Sequence, residues 1–197
     1  MYATLILTHA SIAVMVIVQP VYAKAHGVAM FFHDDGCNTY GELCTNLARH
    51  HCCIASSSGE ALWSSSYLSS DNSLINYYPT TFDNDKGGSC TVTLGSTPEN
   101  TCFSQTPAAI AGGYWGWASG GVTFKRSMKQ AKGCKETDFK FVVSGNVTYH
   151  FDKTNVEKSK AFDEVLQQGG VEGLRAHARE NYDVVSQHDR GVVRMRQ

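Results

Sequence analysis

Charge is scarce in this chain and balanced in sign. Of its 197 residues 18% are charged, and the formal net charge is −1. Such a chain carries no global field toward nucleic acid or an anionic membrane, and neither is expected as a partner. Beyond residue 23 there is no long apolar run, so nothing downstream reads as a membrane span. The short signatures of common catalytic and nucleotide sites are also missing. No G-x-S-x-G, H-E-x-x-H, P-loop or G-x-G-x-x-G occurs, and no residue reads as catalytic.

The N-terminus has a different poverty. Its first 23 residues contain no Asp, Glu, Lys or Arg. Leu5 to Val18 is largely apolar, Gln19-Pro20 ends the run, and Val21-Tyr22-Ala23 supplies the small residues that signal peptidase requires. Residues 1–23 read as a secretory signal, so the mature protein is expected to be extracellular. All seven cysteines lie beyond it. In an exported chain they are expected to form disulfides rather than thiolate metal sites.

Six of the seven fall between Cys37 and Cys102: Cys37, Cys44, Cys52, Cys53, Cys90 and Cys102. Adjacent cysteines rarely pair with each other, because the ring so formed is strained, so Cys52 and Cys53 are expected to bind different partners. Cys134 stands apart and is the candidate for the odd cysteine, free or linking two copies into a dimer.

Strand patterns dominate the cysteine-rich part. Gly27 to Phe32 is an apolar strand ended by His33-Asp34-Asp35-Gly36, and Ser89 to Leu94 alternates. Ser56 to Ser73 reads as edge strands or a surface loop, and Leu74 to Phe82 as a strand broken by Pro79. Glycines alternate with large aromatics over Ala109 to Ser119, as in a strand packed closely on a sheet. Phe124 to Glu136 is basic and reads as a connector.

After it, Asp138 to Ser144 and Val147 to Asp152 flank Gly145-Asn146, a hairpin signal. Thr154-Asn155-Val156-Glu157 reads as a capping box opening a helix that stops at Gly169, and Val171 to Val184 as a second helix. The expected organisation is a signal (1–23), a cysteine-rich β domain (24–130), and a connector, hairpin and two-helix tail packed on it (131–197). The fold class is α+β: a disulfide-stapled antiparallel β-sandwich followed by a β-hairpin and two short helices.

Several residues are candidates for chemistry. Tyr114, Trp115 and Trp117, with Trp63, form a candidate carbohydrate platform, because sugar rings stack their apolar faces on aromatic rings. Alternation puts Trp115 and Trp117 on one face and Tyr114 on the other. Ala23-Lys24-Ala25 offers a second cleavage point that would make His26 the N-terminus. An N-terminal histidine chelates copper through its amine and imidazole, with His33, His50, His51 or His150 as a second ligand. This resembles the histidine brace of lytic polysaccharide monooxygenases, over His26-Gly27.

Asp83 to Gly88 starts like a calcium loop, but Gly87 and Leu94 stand where ligands belong, so it reads as a turn. Glu42, Asp34 and Asp35 are candidate paired carboxylates for glycoside hydrolysis, with turn or surface roles expected instead, and His177 and Glu180 sit one helical turn apart on what reads as a solvated face. Asn146-Val147-Thr148 is a glycosylation sequon in the hairpin turn.

The pattern Phe31…Cys37…Cys44…Cys52-Cys53, with Cys90…Cys102-Phe103 and Gly112-Gly113-Tyr114-Trp115, resembles small secreted cysteine-rich proteins of filamentous fungi. Some of these act as effectors on a host. The resemblance implies an extracellular, non-enzymatic protein whose partner is a host or cell-surface protein or a wall polysaccharide. Phe32 to Tyr40 also resembles the opening strand and turn of a βγ-crystallin Greek key.

Overall fold

The computed structural model describes residues 27–55, 62–70, 75–83, 88–117 and 133–187. The expected signal segment and His26 lie outside the described residues.

Strand β1 (Gly27–Phe32) is apolar at every position because both of its faces are covered. It pairs antiparallel with β2 (Tyr40–Leu47) on one side and β4 (Ser65–Ser69) on the other. Beyond β4 lies β8 (Cys102–Ser104). Beyond β2 lie β11 (Phe139–Ser144), β12 (Val147–Asp152) and β13 (Asp183–Gln187), completing a seven-stranded sheet. The C-terminal hairpin therefore extends this sheet edge to edge.

The second sheet runs β10 (Gly133–Glu136), β3 (His51–Ile54), β9 (Gly112–Trp117), β5 (Ile75–Asp83), β6 (Gly88–Thr93). The two-residue β7 (Thr97–Pro98) also pairs with β5.

Alternation along the strands, with a register shift between β1 and β2 that brings Leu47 to the same side as Cys44, builds the core between the sheets. Ala29 and Phe31 of β1, Cys44 and Leu47 of β2 and Leu68 of β4 meet Cys53, Ile75, Tyr77 and Trp115 of the second sheet. Burying each large apolar side chain contributes about 2 kcal/mol. The Trp115 indole N–H donates to Leu47 O at 2.6 Å, so its polar atom is also satisfied. Residues of the opposite parity, Met30, Phe32, Leu43, Phe141 and Val143, form a separate apolar cluster on the other face of the first sheet.

Helix α1 (Val156–Asn181) covers β11 and β12 on the same side as the second sheet. Phe162, Leu174, Ala178 and Tyr182 pack there on Val142 and Phe151. Lys140, of the same parity as Val142, reaches Asp163 of the helix at 2.8 Å.

Several expectations are corrected. The two short helices are one element, bent at Gly170 (φ 60°, ψ −159°). Gly170 leaves the helical region, but helix resumes at once without a linker. The cap is Asn155, whose side chain accepts from Lys158 N–H at 3.0 Å. Thr154 instead bonds the Asp152 carboxylate, so the capping box does not form. Helix does not reach Val184: from Asp183 the chain is β13, paired with β12, which suits β-branched Val184.

Pro79 does not break β5, because its carbonyl makes the cross-strand bond, accepting from Leu94 N–H at 2.9 Å. The serine-rich stretch supplies β4, an interior strand rather than an edge. The last four residues of the expected connector form β10, parallel to β3.

Three disulfides staple the sandwich. Cys44–Cys53 lies inside the inter-sheet core, Cys52–Cys90 on the far side of β3, and Cys37–Cys102 ties the turn after β1 to β8. Cys134 is free and exposed. Among the described residues no helix is long and apolar enough to cross a membrane.

Candidate functional site

The candidate aromatic platform is divided by burial. Trp115 is 1% exposed, Trp63 6% and Tyr114 8%, whereas Trp117 is 41% exposed. Trp115 and Trp63 fill the inter-sheet core, and Tyr114 stacks on Tyr78 at 5.2 Å on the opposite face of the second sheet. These three do not present a ring to a ligand: Tyr114 and Trp115 are core residues because β9 is buried on both faces, and Trp63, bridged to Ile110, packs into the inter-sheet cluster. Trp117, the last residue of β9, leaves the core where the strand ends. It meets Trp115 edge-on at 6.2 Å.

Arg49 sits over the Trp117 ring, its guanidinium 5.9 Å from the centroid. The backbone puts it there. The β2–β3 turn closes through His51 N–H to Ala48 O at 3.0 Å. His50, with φ 62°, donates its N–H to Trp115 O at 3.0 Å, pinning the turn to β9. Gly116 lets the His50 ring lie close: a Cβ there would stand 3.1 Å from it. An exposed indole with a cation beside it offers one face for stacking and donors for hydroxyl or carboxylate oxygens. Arg49 is not among the residues singled out from sequence. Its available signal was a cation in a short turn between two cysteine-anchored strands.

The carboxylates do not converge. Glu42 accepts from Lys153 Nζ at 2.8 Å and from Thr137 Oγ1, tying β2 to the C-terminal hairpin. Asp34 accepts from Gly36 N–H and Thr39 Oγ1 within its own turn. Asp35 accepts from Thr106 Oγ1 at 3.1 Å. Each has a local structural role.

The histidines are also dispersed. His33 packs against Trp63 at 4.3 Å and Tyr40 at 4.7 Å. His51 lies beside Gly133 of β10, and His177 contacts Tyr182 and Asn181 at the end of the helix. Asp83 is the one described side chain of the expected calcium-like turn, whose residues 84–87 lie outside the described residues. Asn146 is exposed in the hairpin turn, accessible to a glycan.

His150 on β12 faces Phe139 at 4.8 Å. Burial holds its pKa below the ordinary 6.5, against the opposing pull of Asp183; Lys158 adds to the lowering. The fold therefore prefers neutral imidazole. Below about pH 6.5 the unfolded chain binds the proton more readily, so this contribution to stability is present above that pH and lost as pH falls. The urea midpoint is expected to be lower at about pH 5 than near neutrality. His150→Phe is expected to flatten that dependence; an unchanged slope would refute the assignment.

Residues 28–138 match the ARB_05566_N family, described as an N-terminal domain. The match spans more than half of the chain, and the chain belongs to that family. No curated protein and no solved structure matches it.

Proposed function

We propose that this member of the family is a non-enzymatic, secreted, effector-like protein that binds at a cell surface, with Trp117 and Arg49 as its contact pair and a wall polysaccharide as its ligand. The observation that carries this reading is the exposed Trp117 ring held against Arg49 on a pinned turn. Exposing an indole on a stapled sandwich sacrifices burial that its neighbour Trp115 obtains. A rigid ring loses little conformational freedom on binding, and a neighbouring cation adds direction to stacking. Three disulfides suit work outside the cell, where reduction is slow and proteases are present.

Pull-down on insoluble chitin, β-glucan and cellulose tests the proposal. The wild type is expected to be retained on one of these. Trp117→Ala is expected to lose about tenfold or more in affinity, the scale of one lost aromatic anchor. Its thermal midpoint is expected to stay near that of the wild type. No retention on any of the three polysaccharides would overturn polysaccharide as the ligand. Retention that survives Trp117→Ala would place the contact elsewhere.

A further inference from the structure

Cys134 on β10 is in register with Cys52 on the parallel neighbour β3. Paired residues of adjacent strands project to the same side of a sheet. The sulfurs of Cys52, Cys90 and Cys134 all lie within 4.8 Å of one another. Cys52 and Cys90 are bonded, and Cys134 is an exposed thiol. A free thiolate beside a disulfide is the reactant pair for exchange.

We propose that these three cysteines form a thiol–disulfide exchange site, with Cys134 as nucleophile and Cys52 as the sulfur it attacks. Cys134 gives its proton to solvent. Its thiolate bonds to Cys52 Sγ as the Cys52–Cys90 bond breaks, and the electron pair leaves on Cys90 Sγ, which takes a proton from solvent. One disulfide and one thiol exist before and after, so no outside oxidant or reductant enters.

Two features select Cys52. Neighbouring strands stand about 4.8 Å apart, within the Cα separations that disulfides bridge. Attack there also leaves the new thiolate on Cys90, 8% exposed, rather than on Cys52, 0% exposed, where burial would penalise its charge more. The exchange moves a covalent tie. Before it, β3 is bonded to β6; after it, β3 is bonded to β10, already its hydrogen-bonded neighbour. Strand β6 loses its covalent tie to β3 and is held by its pairing with β5 alone, and Tyr114 and Ile54, which pack with Cys90, lose cover. The site is thus a latch on β6. In the exchanged form Cys90 is the thiol that reacts with external disulfides.

Disulfide mapping of the intact wild type tests it. The protein is held at about pH 8.5 or at about pH 5, since base favours thiol–disulfide exchange and acid quenches it. It is then quenched in acid, alkylated under denaturing conditions and digested without reduction. A Cys52–Cys134 peptide and alkylated Cys90 are expected to appear and to grow faster at the higher pH, at a rate independent of protein concentration. Cys90→Ser is expected to carry a Cys52–Cys134 bridge with Cys37–Cys102 and Cys44–Cys53 unchanged. If Cys134 is the one alkylated residue of the wild type at every time and pH, the proposal is overturned, whatever the variant does.

Discussion

Replacing both Cys37 and Cys102 by alanine is expected to lower the unfolding free energy by about 4 kcal/mol, the chain-entropy value for the loop they close. The bridge spans 65 residues, the longest of the three, against 38 and 9 for the others. That interval contains β2 to β7 and the start of β8, so in the unfolded chain the link restrains pairings from both sheets. In the folded protein it fastens the turn after β1 to the outer strand β8. The strand has three residues, too few to hold by its ladder alone. Urea unfolding under non-reducing conditions measures the loss directly. A change below about 1 kcal/mol would mean that the unfolded state retains enough structure to make the link redundant. Because the loss is comparable to much of a typical domain's stability, the variant is also expected to be cleaved faster by an added protease.

What was legible in the sequence was local. The apolar run of β1, the glycine–aromatic alternation of β9 and the Gly145-Asn146 hairpin each carry a pattern that one strand or turn explains. The opposite facing of Cys52 and Cys53 follows from strand geometry alone, since neighbours on a strand point apart. Their partners do not follow. Cys90 reaches Cys52 although β9 and β5 separate their strands in the sheet order, which requires the sheet to curl back on itself. No short window of sequence encodes that.

The same limit explains the other misses. Asp183 and Val184 fall at the end of the expected second helix, but Val184 pairs with Tyr149 at the open edge of β12, and that pairing outweighs the weak helical preference. Gly133 to Glu136 looks like part of a basic connector until β3 supplies a partner. For the candidate site, sequence singled out Trp117 together with three aromatics that turned out to be core. Composition cannot say where a strand leaves the core, and that decides which ring is exposed. Arg49 comes into view only when the turn is docked on Trp115.

Gly41→Ala is expected to be the second severe variant, costing about 3 kcal/mol, near the top of the range for overpacking. Gly41 lies on β2 between β1 and β11, opposite Phe32 on one side and Phe141 on the other. A Cβ there would overlap the Phe31 carbonyl and stand 3.2 Å from the Trp63 ring. The first obstacle is backbone within a central ladder, so relief requires the strands to separate; no side chain can rotate away. Gly41 is needed for room rather than for a left-handed backbone, unlike Gly145 and Gly170, whose φ is positive. Parting β1 from β2 also loosens Phe31 and Cys44, which face the second sheet. Amide exchange is therefore expected to accelerate at Phe32 and Leu43 before it does in the helix. Gly169→Ala is the control: nothing lies within 4 Å of a Cβ there, and alanine in a helix is expected to be neutral or to gain up to about 1 kcal/mol. If Gly41→Ala unfolds within about 0.5 kcal/mol of the wild type, β1 and β2 tolerate a wider spacing, and the tight pairing at the centre of the first sheet is not what holds it together.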